Sequence, residues 1–146
     1  MIDSHQRVAY IRLDSFDAGN FDADYGSRIV ASVGSRCSLL RNAKEFSNFD
    51  KCPHKVWELK YRNPHTSSFI LSFSKKRTFG GDIQIGEAEL KLSHFELNSV
   101  TKQEVKLRNF GNRRLSSTAT ISVHMCEDGS YPFSAREGHL LEHSHV

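Results

Sequence analysis

"FILSFSKKRTFGGDIQIGEAEL", Phe69 to Leu90, sets the period of the whole chain. Phe69, Leu71 and Phe73 fall on alternate positions, as a strand with one buried face requires. Three cations then arrive together, Lys75, Lys76 and Arg77, with Phe79 just behind them. Alternation resumes with Ile83 and Ile85, and then with Ala88, Leu90 and Leu92. The step from Ile85 to Ala88 spans three residues, so parity slips at Gly86. A β-bulge at that glycine would absorb the extra residue.

The same period of two runs outward in both directions. In "RVAYIRLD" (residues 7–14), Ala9, Ile11 and Leu13 share one face, while Val8, Tyr10 and Arg12 share the other. "SFDAGNFDADYGS" is rich in Asp, Gly and Ser and reads as a loop. "RIVASVG" and "RCSLL" read as two strands turned at Gly34-Ser35, and "NAKEFSNFDKCPH" as a loop. "KVWELKY" sends Trp57, Leu59 and Tyr61 one way, with Glu58, Lys60 and Arg62 the other. "SHFELN" suits one short helical turn. "QEVKLRNF" carries Val105 and Leu107, and "STATISVHM" aligns Ala119, Ile121, Val123 and Met125. Eight short strands separated by turn signals predict an all-β chain, an eight-stranded antiparallel β-sandwich. The alternation lapses after Cys126, so residues 1–126 are expected to form the domain and 127–146 an extension or linker.

A chain of 146 residues, 38% hydrophobic and 25% charged, suits one globular domain. No apolar run approaches the ~20 residues of a membrane helix. "MIDSHQRVAYIRLD" lacks the pattern of a secretory signal. Cys37, Cys52 and Cys126 cannot all pair within one chain, so reduced thiols and a cytoplasmic location are expected. The net charge of +3 is unevenly spread: residues 51–115 hold 13 Lys/Arg against 6 Asp/Glu. A basic middle of this kind favours an anionic partner.

The order of these features resembles the C2 domains, over roughly residues 7–126. "GGDIQIGEAEL" is similar to that family's acidic turn, Ile-Gly and amphipathic strand. Asp24-Tyr25 in "FDADYGSRIVASVG" stands for its Asp-Pro-Tyr strand entry, and "CPHKVWELKY" is similar to its Asn-Pro-x-Trp strand, here without the Asn. The resemblance implies a non-catalytic module that docks on membranes or proteins, often steered by calcium.

Calcium needs six to eight oxygen ligands. The resemblance implies that about five aspartates from two loops supply them. The first loop here offers Asp14, Asp17, Asp22 and Asp24, with Asp17 and Asp24 the better matches. The second loop gives Ser74-Lys75-Lys76-Arg77 where an Asp-x-Asp pair belongs, leaving Asp82 alone. Half the ligands are missing and three cations oppose a divalent ion, so a calcium-independent domain without cofactor is expected. A weak site on Asp14, Asp17, Asp24 and Asp82 is the alternative. Lys75, Lys76, Arg77 and Phe79 then become candidate contacts to an anionic phospholipid surface, joined at the tip by Phe16 and Phe21. Lys60, Arg62, Arg36 and Arg41 form a second candidate patch, where the resemblance implies a lysine-rich phosphoinositide groove.

Three other classes fit the residues less well. Nucleic-acid binding would need exposed aromatic platforms among the cations, whereas Trp57, Tyr61, Phe69 and Phe73 alternate inward. Cys52, His54, His65 and Cys126 lack the paired short spacings of a zinc site, and no nucleophile or phosphate-loop motif appears. The stronger rival is a protein-interaction scaffold, docking a partner or a second copy through strand edges or the acidic, aromatic "EDGSYPF" tail.

Overall fold

The computed structural model describes residues 7–19, 28–35, 42–47, 50, 52–109 and 116–127. The strands are β1 (Val8–Asp17), β2 (Arg28–Ser35), β3 (Asn42–Ser47), β4 (Lys55–Lys60), β5 (Ser68–Lys75), β6 (Ile83–Lys91), β7 (Val100–Leu107) and β8 (Ser117–Cys126). One 3₁₀ turn, Leu92–His94, falls where "SHFELN" suggested a helical turn. The strands form two four-stranded antiparallel sheets, β4-β1-β8-β7 and β3-β2-β5-β6.

Alternation builds the core directly. Ala9, Ile11 and Leu13 of β1 and Ala119, Ile121, Val123 and Met125 of β8 face Phe69, Leu71 and Phe73 of β5, and all are buried. Inter-sheet burial of the larger of these side chains stabilises by roughly 1.5–3 kcal/mol each before entropy is counted. The slip expected at Gly86 is present: Phe73 pairs with Gly86 and Ser74 with Gln84, leaving Ile85 as the extra residue. Both Phe73 and Ile85 stay buried as a result.

Gly86 is also needed for close approach. A Cβ there would stand 3.0 Å from Leu107 Cβ and 3.1 Å from the Arg108 carbonyl oxygen. Next to it, Glu87 and Arg108 exchange two backbone hydrogen bonds of 3.0 and 2.8 Å, a rung that joins the β6 side of one sheet to the end of β7 in the other. Gly86→Ala is expected to lower stability by about 1–3 kcal/mol through overpacking, read from a urea titration. An unchanged midpoint would mean that the rung yields freely.

Three sequence expectations are corrected. "NAKEFS", read as loop, is β3, paired with β2 from Arg28↔Ser47 to Val33↔Asn42. Phe46 is its one buried residue, so the period of two barely shows. The turn expected at Gly34-Ser35 is absent, since both residues belong to β2 and pair with Ile70 and Phe69; "RCSLL", read as a strand, lies outside the described residues. β1 does not end at Asp14 but continues to Asp17, because a bulge between Leu13 and Ser15 resets its parity. Phe16 therefore points inward and is not a loop aromatic: it stacks on Phe73 at 4.2 Å and meets Phe46 edge-on at 6.1 Å. β1 is also buried on both faces. Val8 and Tyr10, on the face opposite the core, pack with Cys126 and Val56.

Candidate functional site

Register fixes which loops share an end. The last residues of β1 pair with the first of β8 (Asp17↔Thr118), and the last of β5 with the first of β2 (Lys75↔Ile29). The Phe16–Phe73 stack ties these two ends together. The β5–β6 loop, residues 76–82, therefore stands on an aromatic base at the tip where β1 finishes. Lys75 closes β5 and is half-buried, while Lys76, Arg77, Thr78 and Phe79 are exposed, Phe79 to 84%.

The cations are not equivalent. The Lys76 N–H donates to the Arg28 carbonyl at 3.0 Å, and its Nζ donates to Glu45 Oε2 at 2.8 Å. Arg28 Nε reaches Glu45 Oε1 at 3.4 Å, so one carboxylate serves two cations. The Lys76 hydrogen bond holds the Glu45 carboxyl below its usual range, with Arg28 adding to it, and Glu45 in turn raises Lys76. The sign follows: pairing present at neutral pH is lost only as pH falls through the depressed Glu45 value. Arg77 Nε donates to the Phe79 carbonyl at 3.1 Å and braces the turn. Gly80 (φ +80°) makes room for that guanidinium, since a Cβ there would lie 2.5 Å from its Nη2. Residues 75–82 thus keep a positive excess, three cations against Asp82, while Arg28, Glu45 and, at the end of β1, Asp17 share the tip.

The candidate calcium ligands are dispersed. Asp14 is corrected from loop ligand to structural anion: it is 8% exposed in β1, accepting from Arg12 Nε at 2.6 Å through Oδ1 and from the Ser122 hydroxyl through Oδ2. Ordinary alternation puts it on the face that already carries Arg12, and the bulge shifts only the residues that follow. Asp17 Oδ1 accepts the Gly19 N–H at 2.8 Å, an Asx turn. Asp82 is exposed beside the cations, and Asp24, like Phe21, lies outside the described residues. Among the described residues, no three His, Cys, Asp or Glu side chains gather where an ion would sit.

The second patch does not join the first. Lys60 ends β4 opposite Val8, so it and Arg62 lie at the other end of the sandwich, a strand's length from Phe79. Arg36 and Arg41 lie outside the described residues. Around Lys60, a cleft of about 270 Å³ opens between Leu59, Tyr61, Thr66 and Ser68. Arg7 donates to the Arg62 carbonyl and pairs with Glu127, whose carboxylate accepts from Tyr61 Oη at 3.1 Å. Burial first, then Glu127, raises the Tyr61 phenol. Glu127, assigned by sequence to the extension, is thereby tied to the sandwich, and its N–H also donates to Asn98 Oδ1. Trp57, Tyr61, Phe69 and Phe73 are buried, which removes them as stacking platforms for bases. No helix among the described residues is long and apolar enough to cross a membrane.

Sequence reasoning missed Arg28 and Glu45 as members of the tip. No period announced them, since Phe46 is the one buried residue of β3 and Glu45 meets Lys76 only through strand pairing.

No family model and no curated relative matches the sequence. Among solved structures, the chain is similar to a single C2 domain, the first, of plant extended synaptotagmin 1, with a TM-score of 0.70 at 10% identity over 86% of this chain and 98% of that one. It is similar to human GIVD cytosolic phospholipase A2 at TM-score 0.68 and 8% identity, over 89% of this chain but only 16% of the phospholipase chain. The paired C2 domains of extended synaptotagmin 2 match at TM-score 0.58 and 16% identity, over 83% of this chain and 39% of theirs. At these identities the likeness speaks for backbone architecture, and in that respect the expectation drawn from "GGDIQIGEAEL" holds: this chain has the C2-domain fold.

Proposed function

We propose that the chain is a non-catalytic targeting module that docks on anionic phospholipid surfaces without calcium, using the β5–β6 loop. The observation that carries this reading is the loop itself: Lys76, Arg77 and an 84%-exposed Phe79 project beyond a base of stacked aromatic rings. Built-in cations occupy the place where a bound divalent ion would otherwise supply positive charge. Each cation near an anionic leaflet contributes roughly 1 kcal/mol, and a partly inserted Phe79 roughly 1–2 more. Lys76 contributes less than a free lysine because Glu45 already holds it. The total corresponds to weak attachment in the millimolar range, on the order of 3–5 kcal/mol. Retention then needs a second contact, for which Lys60 and Arg62 at the far end, a neighbouring domain or self-association would serve.

The test is co-sedimentation with vesicles of phosphatidylcholine alone and of phosphatidylcholine with phosphatidylserine, in chelator and in calcium. Binding should require the anionic lipid, ignore calcium and fall with salt. Lys75→Ala, Lys76→Ala and Arg77→Ala together should weaken it about ten- to a hundredfold. Equal sedimentation with both vesicles at low salt would sink the reading. A protein-docking role has one observation in its favour, the 46% exposure of both Leu97 and Val100 at the end opposite Phe79. It predicts self-association or partner capture that survives high salt.

A further inference from the structure

Thr78 carries the only hydroxyl of residues 76–82. It is exposed, and it opens the bend that precedes β6. Lys75, Lys76 and Arg77 stand directly before it and the exposed Phe79 directly after. The loop is held by surface polar contacts alone: the Lys76 N–H reaches Arg28 and its Nζ reaches Glu45, the Arg77 side chain reaches the Phe79 carbonyl, and Gly81 has open space on its Cβ side. Segments with so few buried contacts open at low free-energy cost, so residues 76–80 can enter an enzyme cleft in extended form.

The geometry points to Thr78 as the acceptor of a phosphoryl group from a basophilic protein kinase using ATP, and to that phosphate as the switch that releases the tip from an anionic surface. The switch half rests on the membrane reading above; the acceptor half does not. In the transfer, the bond between the γ-phosphorus of ATP and its bridging oxygen breaks and a bond from Thr78 Oγ1 forms. ADP leaves, and the hydroxyl proton passes to the carboxylate base of the kinase. Lys76 and Arg77 supply the charge that an acidic substrate groove selects, and Phe79 supplies an apolar anchor one residue on.

The product changes the tip through charge. A phosphothreonine carries about −1.5 to −2 at neutral pH. Residues 75–82 carry three cations against Asp82, so the phosphate offsets the loop's own excess of about two. It also sits within reach of Arg77, whose guanidinium already folds back over the turn. Loss of about two effective charges should weaken partition onto phosphatidylserine vesicles about thirtyfold, at roughly 1 kcal/mol per charge and 1.4 kcal/mol per decade.

The full chain is incubated with ATP and the catalytic subunit of a basophilic Ser/Thr kinase that accepts lysine as well as arginine ahead of the acceptor, and the phosphate is mapped by mass spectrometry. A second basic stretch, Arg113-Arg114 ahead of Ser116, makes residue-level mapping necessary. Phosphate at Thr78, absent from Thr78→Ala and slowed in Arg77→Ala, supports the assignment. Phosphate on Ser116 alone, or none at all, overturns it. Purified phosphoprotein is then compared with unmodified protein on phosphatidylserine vesicles. A drop near thirtyfold supports the switch, and equal binding overturns it. If the unmodified chain shows no preference for the anionic vesicles, the membrane reading and the switch fail together, while the phosphate map still decides the acceptor.

Discussion

Asp14→Ala is expected to remove about 3–5 kcal/mol of stability, a large part of the 5–15 kcal/mol that holds a typical domain together. Arg12 and Asp14 are both 8% exposed, and the Asp14 carboxylate accepts from Arg12 Nε and from the Ser122 hydroxyl. Truncating Asp14 leaves a guanidinium in a site largely closed to water, with the Ser122 hydroxyl deprived of its acceptor. The penalty comes from a buried guanidinium that has lost its carboxylate and not from the net worth of the pair. Replacing the pair with apolar residues, Arg12→Met with Asp14→Ala, should therefore recover much of the loss. Urea denaturation of both single variants and the double variant forms a cycle that measures the coupling. A loss below about 1 kcal/mol in the single Asp14 variant, by the same scale, would show that water or the other contacts of Arg12 compensate its charge.

Trp57→Ala should cost a comparable amount, about 3–5 kcal/mol, because the indole is 1% exposed in the core. Its second role is directional. Trp57 Nε1 donates to the Asn42 carbonyl at 2.8 Å, so one side chain links β4 of the first sheet to β3 of the second. Trp57→Phe separates the two contributions: most of the apolar volume stays and the hydrogen bond goes. Its cost should be near ~1–2 kcal/mol, smaller because Asn42 is exposed and water can take the carbonyl. Chemical denaturation gives both numbers. If the Phe variant matches the Ala variant, the link between sheets outweighs the packing.

The parts of this fold that were legible in the sequence are those whose signal is local. β4, β5, β6 and β8 each show a buried face every second residue, and Gly86 marks its own bulge by breaking that count. β3 was not legible because one buried Phe46 on an edge strand leaves no period to see. The end of β1 was hidden by a bulge at Asp14, where Asp, Ser, Phe and Asp in succession read as loop. The candidate site was half legible. Lys75, Lys76, Arg77 and Phe79 announce themselves as a run. Their counter-charge does not, since Glu45 is 31 residues from Lys76 and meets it only once β2, β3 and β5 have paired. Likewise, four aspartates near one another in the chain suggest a shared ligand set, yet Asp14 is captured by Arg12, two residues before it, and by Ser122, 108 residues after it.

The rung between Glu87 and Arg108 bears on how copies of this domain meet. Both residues lie at the rim of a sheet, where an incoming strand would seek unpaired amides and carbonyls, and here each satisfies the other. Ribbon-like polymerisation along that rim is blocked at this point by the fold's own closure. Crowding of many copies on a shared surface would leave the molecules side by side without zipping their backbones together there.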